Sequence, residues 1–156
     1  MTFEAVPLST PLYDGRMGEK ACGLDLHKKF IVAAVVDQDG TTAEQQFSRT
    51  QADLLLLKDW VGYHGCDVVA CESTSDYWVQ VSDLFAGRIP MIVGNARDIK
   101  ALSHKKTDKI DAVWIATLAL HDLIPASRVP DREQRDLRSL IRLRKFLVEK
   151  RTDLKN

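Results

Sequence analysis

Ala21-Cys-Gly-Leu-Asp-Leu26 and Phe30-Ile-Val-Ala-Ala-Val-Val36, joined by His27-Lys-Lys29, are the stretches that decide the fold. The second is an unbroken apolar run rich in β-branched residues, the pattern of a strand buried on both faces. The first is a shorter strand with an acid inside it. Asp37-Gln-Asp-Gly40 then supplies a hairpin turn, and Thr41 to Phe47 returns as a third, more polar strand antiparallel to the second. The three make a β-meander.

Working outward, Thr50-Gln-Ala-Asp53 resembles a capping box with Asp in the place of Glu, opening a helix over Leu54 to Tyr63 that stops at Gly65. Asp67-Val-Val-Ala-Cys-Glu72 reads as a short strand ending in an acid. Ser75 or Asp76 caps a helix from Tyr77 to Ala86, and Gly87 ends it. Pro90-Met-Ile-Val93 is a further strand, and Asn95 caps a short helix to Leu102. A basic loop, Ser103-His-Lys-Lys106, precedes a helix that Thr107 would cap and that runs to His121. Pro125 and Pro130 break the chain, and a last helix starts at Asp131. Alternation of strands and helices after a meander predicts an α/β fold, a mixed sheet with helices on its faces. Residues 1–19 form a loose leader, 20–128 the α/β domain and 129–156 the start of a basic, coiled-coil-like helical segment. The last helix is uncapped at residue 156, which predicts a continuation into a part this chain lacks.

Composition excludes several classes. The net charge is zero, so overall charge does not advertise a polyanion partner. Its distribution does more: residues 1–130 hold 13 Lys/Arg against 17 Asp/Glu, and residues 131–156 hold 9 against 5. Three cysteines without a CxxC pair argue against a zinc site and for a reducing compartment. No apolar run has transmembrane length, and the N-terminus lacks the basic start of a signal peptide. The expectation is a cytoplasmic protein with no membrane partner.

Acidic positions carry the chemistry. Asp25 sits mid-strand between leucines, where strands deplete Asp, so it needs a partner, a metal or an open edge. Glu72 closes a strand at the end where open α/β sheets form their ligand crevice. Asp108 and Asp111, three residues apart at the opening of the helix that runs to His121, share one face and can aim at one point. Each has a structural reading: an alternating strand residue turned to solvent, a polar strand end, acids favouring a helix macrodipole. Four carboxylates converging on one site would repel one another, and divalent cations would relieve this; hard oxygen ligands suit magnesium or manganese. Two such ions about 4 Å apart clamp the attacking and leaving oxygens of a phosphoryl displacement.

Gly23-Leu-Asp-Leu-His-Lys28, Cys71-Glu-Ser-Thr-Ser75 and Lys106-Thr-Asp-Lys-Ile-Asp-Ala112, in this order, resemble the N-terminal domain of DEDD transposases of the IS-one-ten family of bacterial insertion sequences, relatives of the Piv/MooV invertases. The resemblance covers residues 20–156. It implies an RNase H-like fold of the RuvC type and a catalytic, metal-binding tetrad of Asp25, Glu72, Asp108 and Asp111 loaded with Mg2+ or Mn2+. It also implies DNA strand cleavage and exchange in transposition guided by a bridge RNA that pairs with donor and target DNA, and a dimer or tetramer in the bacterial cytoplasm. The family's C-terminal serine domain lies outside this chain.

Basic residues near these motifs are candidates for nucleic-acid contact. They are His27 and Lys28, then His104, Lys105, Lys106 and Lys109, and on the last helix Arg135, Arg138 and Arg142 beside Arg132. Each can equally be a solvated surface residue. Ser73 and Thr74 favour helix capping, and Trp60, Trp78 and Trp114 favour core packing. Leu137, Leu140, Ile141, Leu147 and Leu154 lie close to a heptad seam interrupted by Arg144 and Arg151, so the last helix is a nucleic-acid arm, a dimerisation helix, or both. Three other functions remain: a RuvC-like structure-specific nuclease, an actin-like ATPase, or a non-catalytic RNA-binding dimerisation module. The ATPase reading lacks the glycine-rich phosphate loop it requires after Asp25.

Overall fold

The computed structural model describes residues 18–40, 42–102, 111–127, 129–130 and 132–155. Strands β1 (Lys20–Leu26), β2 (Phe30–Asp37) and β3 (Thr42–Ser48) form the expected meander. Then come α1 (Gln51–Tyr63), β4 (Val68–Glu72), α2 (Tyr77–Phe85), β5 (Met91–Gly94), α3 (Ala96–Ala101), α4 (Ala112–Leu120) and α5 (Arg132–Asp153).

The sheet order is β3-β2-β1-β4-β5. β1 is antiparallel to β2 and parallel to β4, and β5 continues the parallel half. The first strand of the meander is thus central, as it must be when parallel strands are added on its free side. This is the mixed, helix-flanked sheet of the RNase H-like expectation.

Alternation splits β1 between two cores. Cys22 and Leu24 join Val69, Cys71, Leu57, Val81 and Phe85 under α1 and α2. Ala21 joins Val68, Ala70, Ile92, Ile115 and Ala119 under α4. α4 approaches β1 backbone to backbone. A Cβ on Gly23 would stand 2.0 Å from the Ala112 carbonyl oxygen and 2.4 Å from the Ala116 nitrogen, so only glycine fits. Ala112, Ala116 and Ala119 keep the facing surface of α4 equally thin.

Several local signals work as read. Thr50 Oγ1 accepts from the Asp53 amide at 3.3 Å, and Asn95 caps α3 through the Arg97 amide at 2.9 Å. Gly65 and Gly87 end their helices at φ 66° and 72°. The return arm of the capping box goes elsewhere: Asp53 Oδ2 accepts from the Ser48 amide at 3.0 Å, stapling α1 to the end of β3. Ser75 is not a cap; it is in the left-handed region at φ 53°, and Asp76 holds the N-cap position of α2 without a side-chain bond.

One expectation is corrected. Asp111 does not lie inside the first turn of its helix. It is extended (φ −123°, ψ 172°) and is itself the N-cap, its Oδ1 accepting from the Trp114 amide at 2.8 Å. A carboxylate three residues before a free amide is as good a cap as a threonine further upstream. The face-sharing of Asp108 and Asp111 therefore does not follow from helical spacing, and Thr107 and Asp108 lie outside the described residues.

Candidate active site and arginine cleft

Asp25 is the sixth residue of β1, on the same side as Gly23, the side that α4 covers. Parallel pairing matches Gly23 with Ala70 and Leu24 with Cys71. Asp25 and Glu72 are the residues that follow the end of this ladder, both at the carboxyl ends of central strands and both on the α4 side. Glu72 is itself registered with Gly94 of β5. α4 brings its N-terminus to the same place. Ala112 rests on Gly23, two residues before Asp25, and Asp111 immediately precedes Ala112. The three described acids of the expected tetrad thus belong to one end of the sheet.

Their side chains are each held locally. Asp25 Oδ2 is 2.9 Å from His27 Nε2, and its side chain is only 15% exposed. The His27 ring stacks on Phe30 with centroids 4.3 Å apart. Glu72 Oε1 accepts from the Thr74 hydroxyl. Asp111 is exposed and spends one oxygen on the cap. Among the described residues no three His, Cys, Asp or Glu side chains stand close enough to hold a metal ion. Asp108, the fourth expected ligand, lies outside them, as do His104, Lys105, Lys106 and Lys109. The donor set nevertheless fits a hard cation. It is all oxygen, partly open to water, and each of the three acids has an oxygen that takes no hydrogen bond among the described residues.

Lys28 is exposed in the turn between β1 and β2, beside this strand end. Arg135, Arg138 and Arg142 are on α5 and line a cleft between it and α2. Arg135 reaches the body of the protein, pairing with Asp83 at 2.5 Å and lying 5.9 Å from the centre of the Trp78 ring.

Sequence reading passed over Arg49. Its guanidinium donates to the His27 carbonyl at 3.2 Å, the Tyr77 carbonyl at 3.3 Å and Gln80 Oε1 at 2.9 Å, and it stacks 4.8 Å above the Tyr77 ring. It ties the segment after Asp25 to the start of α2. A single arginine before an N-cap carries no local signal of that role, because its partners are 22 to 31 residues away.

The cysteines are small core residues, all free thiols and all buried. Burial pushes the Cys71 thiol far above its ordinary value, helped by the neighbouring Glu72 carboxylate. Hydrogen bonding between Cys22 and Cys66 raises the first and lowers the second. Among the described residues no helix is long and apolar enough to cross a membrane.

The model of the DEDD transposases of the IS-one-ten (IS110) type, described as Transposase, matches residues 22–156. No curated protein sequence matches this chain. Among solved structures, the fowlpox virus Holliday junction resolvase is 18% identical with a TM-score of 0.39 over 49% of this chain and 60% of that one. Thermus thermophilus RuvC is 13% identical with a TM-score of 0.46 over 69% of this chain and 99% of its own. The chain thus spans 60% of the length of the fowlpox resolvase chain.

Proposed function

The chain belongs to the DEDD transposases of the IS-one-ten family, and from that premise we propose that it is a divalent-metal-dependent domain that cuts and joins DNA strands. Asp25, Glu72, Asp108 and Asp111 are the ligands in this reading. The supporting observation is the parallel β1–β4 ladder, which ends at Leu24 and Cys71, one residue before Asp25 and Glu72, at the end of the sheet where α4 starts and Asp111 caps it.

Bound Mg2+ or Mn2+ would supply charge neutralisation for the displaced and attacking oxygens of a phosphodiester. The protein's own part is positioning. His27 orients Asp25, Thr74 orients Glu72, and the cap bond to Trp114 holds Asp111. The sheet supplies rigidity beneath them. Lys28, with His104, Lys105, Lys106 and Lys109 of the basic stretch before α4, would hold the phosphate backbone as point charges. Within the whole transposase, this reading extends to donor and target DNA as substrates, a bridge-type guide RNA, and a dimer or tetramer joined through the last helix.

Titration calorimetry with manganese tests the site. Binding in the native chain that is lost in both Asp25→Asn and Glu72→Gln supports it; equal binding in both variants overturns it. One observation favours a second reading: all three described acids already have local hydrogen-bond partners. A non-catalytic RNA-binding module with structural acids would bind RNA with the same affinity in EDTA and would bind no manganese.

A further inference from the structure

Outside the carboxylate site, the largest concentration of unused chemistry is the cleft between α2 and the N-terminal half of α5. Five arginines line it: Arg49, Arg132, Arg135, Arg138 and Arg142. Three aspartates oppose them, Asp76, Asp83 and Asp136, and Asp83 is already neutralised by Arg135. The surplus is positive on an otherwise acidic body. Its volume, about 930 Å³, far exceeds what one phosphate ion would fill.

The arginines divide by role. Arg49 and Arg135 are anchored to the protein by hydrogen bonds, an ion pair and aromatic rings, and they frame the cleft. Arg132, Arg138 and Arg142 are exposed and have no ion pair among the described residues. At about 1.5 Å rise per residue this row extends roughly 15 Å along α5, about four nucleotide steps of one strand of a duplex. Guanidinium groups grip phosphate oxygens in pairs, which ammonium groups do not. Trp78, the aromatic ring that lines the cleft, already carries Arg135 on one face, and the neighbouring Tyr77 ring carries Arg49. Base stacking, the hallmark of single-strand sites, is therefore poorly provided for.

We propose that this cleft binds the phosphodiester backbone of duplex nucleic acid. Arg49 makes the connection to the chemistry: it lines the cleft and also holds the His27 carbonyl, two residues from Asp25. The cleft is thereby tied to the segment that follows β1. The proposal does not require the four acids to hold a metal.

The test is fluorescence anisotropy of a short labelled DNA duplex with the chain, in EDTA so that metal binding plays no part. Charge reversal in the double variant Arg138→Glu/Arg142→Glu should weaken binding at least ~10-fold and lower the salt slope by about 2. The milder pair Arg138→Gln/Arg142→Gln should fall between, with an unchanged circular dichroism spectrum. Lys145→Glu/Arg151→Glu makes the same charge change on α5 beyond the cleft and should cost less than ~3-fold. Equal losses in the two reversed pairs, or no loss at the cleft, overturn the proposal. So does displacement of the duplex by poly-glutamate at equal charge, which would mark a general anion surface. Tighter binding of duplex, DNA or RNA, than of an unstructured strand of equal length supports it, and the reverse order overturns it. Loss of manganese binding with duplex binding intact would remove the metal reading and leave this one standing.

Discussion

Gly23 is the residue on which the packing of the sheet turns. Its missing side chain lets the α4 backbone come within atomic contact of β1, and that closeness places Asp111 near the Asp25 end of the strand. Gly23→Ala would push against backbone atoms that cannot rotate away, so it should cost at least the ~1–3 kcal/mol typical of overpacking, read as a lower urea midpoint. Gly62→Ala makes the opposite test. It is in α1 with nothing within 4 Å of a new Cβ, and should add roughly 0.5 kcal/mol by helix propensity. The thiols give a second residue-level expectation. Cys71 is held protonated by burial, while Cys66 is lowered by its bond with Cys22. Iodoacetamide should therefore alkylate Cys66 before the other two, as peptide mass mapping at short times would show.

Element termini do double duty in this protein. Asp111 is both the cap of α4 and a proposed metal ligand, and two substitutions separate the roles. Asp111→Asn keeps a capping oxygen and should keep stability; Asp111→Ala should lose about 1 kcal/mol in thermal or urea unfolding. Both should lose manganese affinity. At the start of α1, hydrogen bonds from Ser48 hold the Asp53 carboxyl below its ordinary value of 3.8. A carboxyl lowered in the folded state contributes stability above the unfolded value and loses it as pH falls through the folded one. The native chain should therefore lose more stability than Asp53→Asn when pH is lowered from 5 to below 3.8, as urea midpoints across that range would show. The capping-box pattern was legible in the four residues from Thr50 to Asp53. The partner of its second arm was not, because Ser48 belongs to the preceding strand and is brought there by the β3–α1 corner.

At the scale of the whole molecule, α5 stands apart from the sheet. None of its residues is buried, and Leu137, Leu140, Ile141, Phe146 and Leu147 are all more than half exposed. Arg135 ties it to the body, joining Asp83 and Trp78 of α2. Arg135→Ala should loosen that hold by up to ~1 kcal/mol, since the Asp83 side is half open to water. Amide exchange in the first turns of α5 should quicken up to about fivefold while exchange in β1 and β4 stays unchanged. The same arrangement makes the arginine cleft, which belongs to neither α2 nor α5 alone.

Sequence alone determined the elements and their order, because period, caps and glycine stops are local and each acts within a few residues of its cause. It also placed Asp25 mid-strand and Glu72 at a strand end, and the motifs around them point to the family whose model matches residues 22–156. Tertiary structure decided what those residues meet. Only the pairing of β1 with β4 brings together the strand ends that carry Asp25 and Glu72, only the approach of α4 to Gly23 brings Asp111 to that end, and only the β3–α1 corner gives Arg49 its task. These are contacts between residues tens of positions apart, and their partners are selected by sheet register and core packing, which no short window of sequence contains.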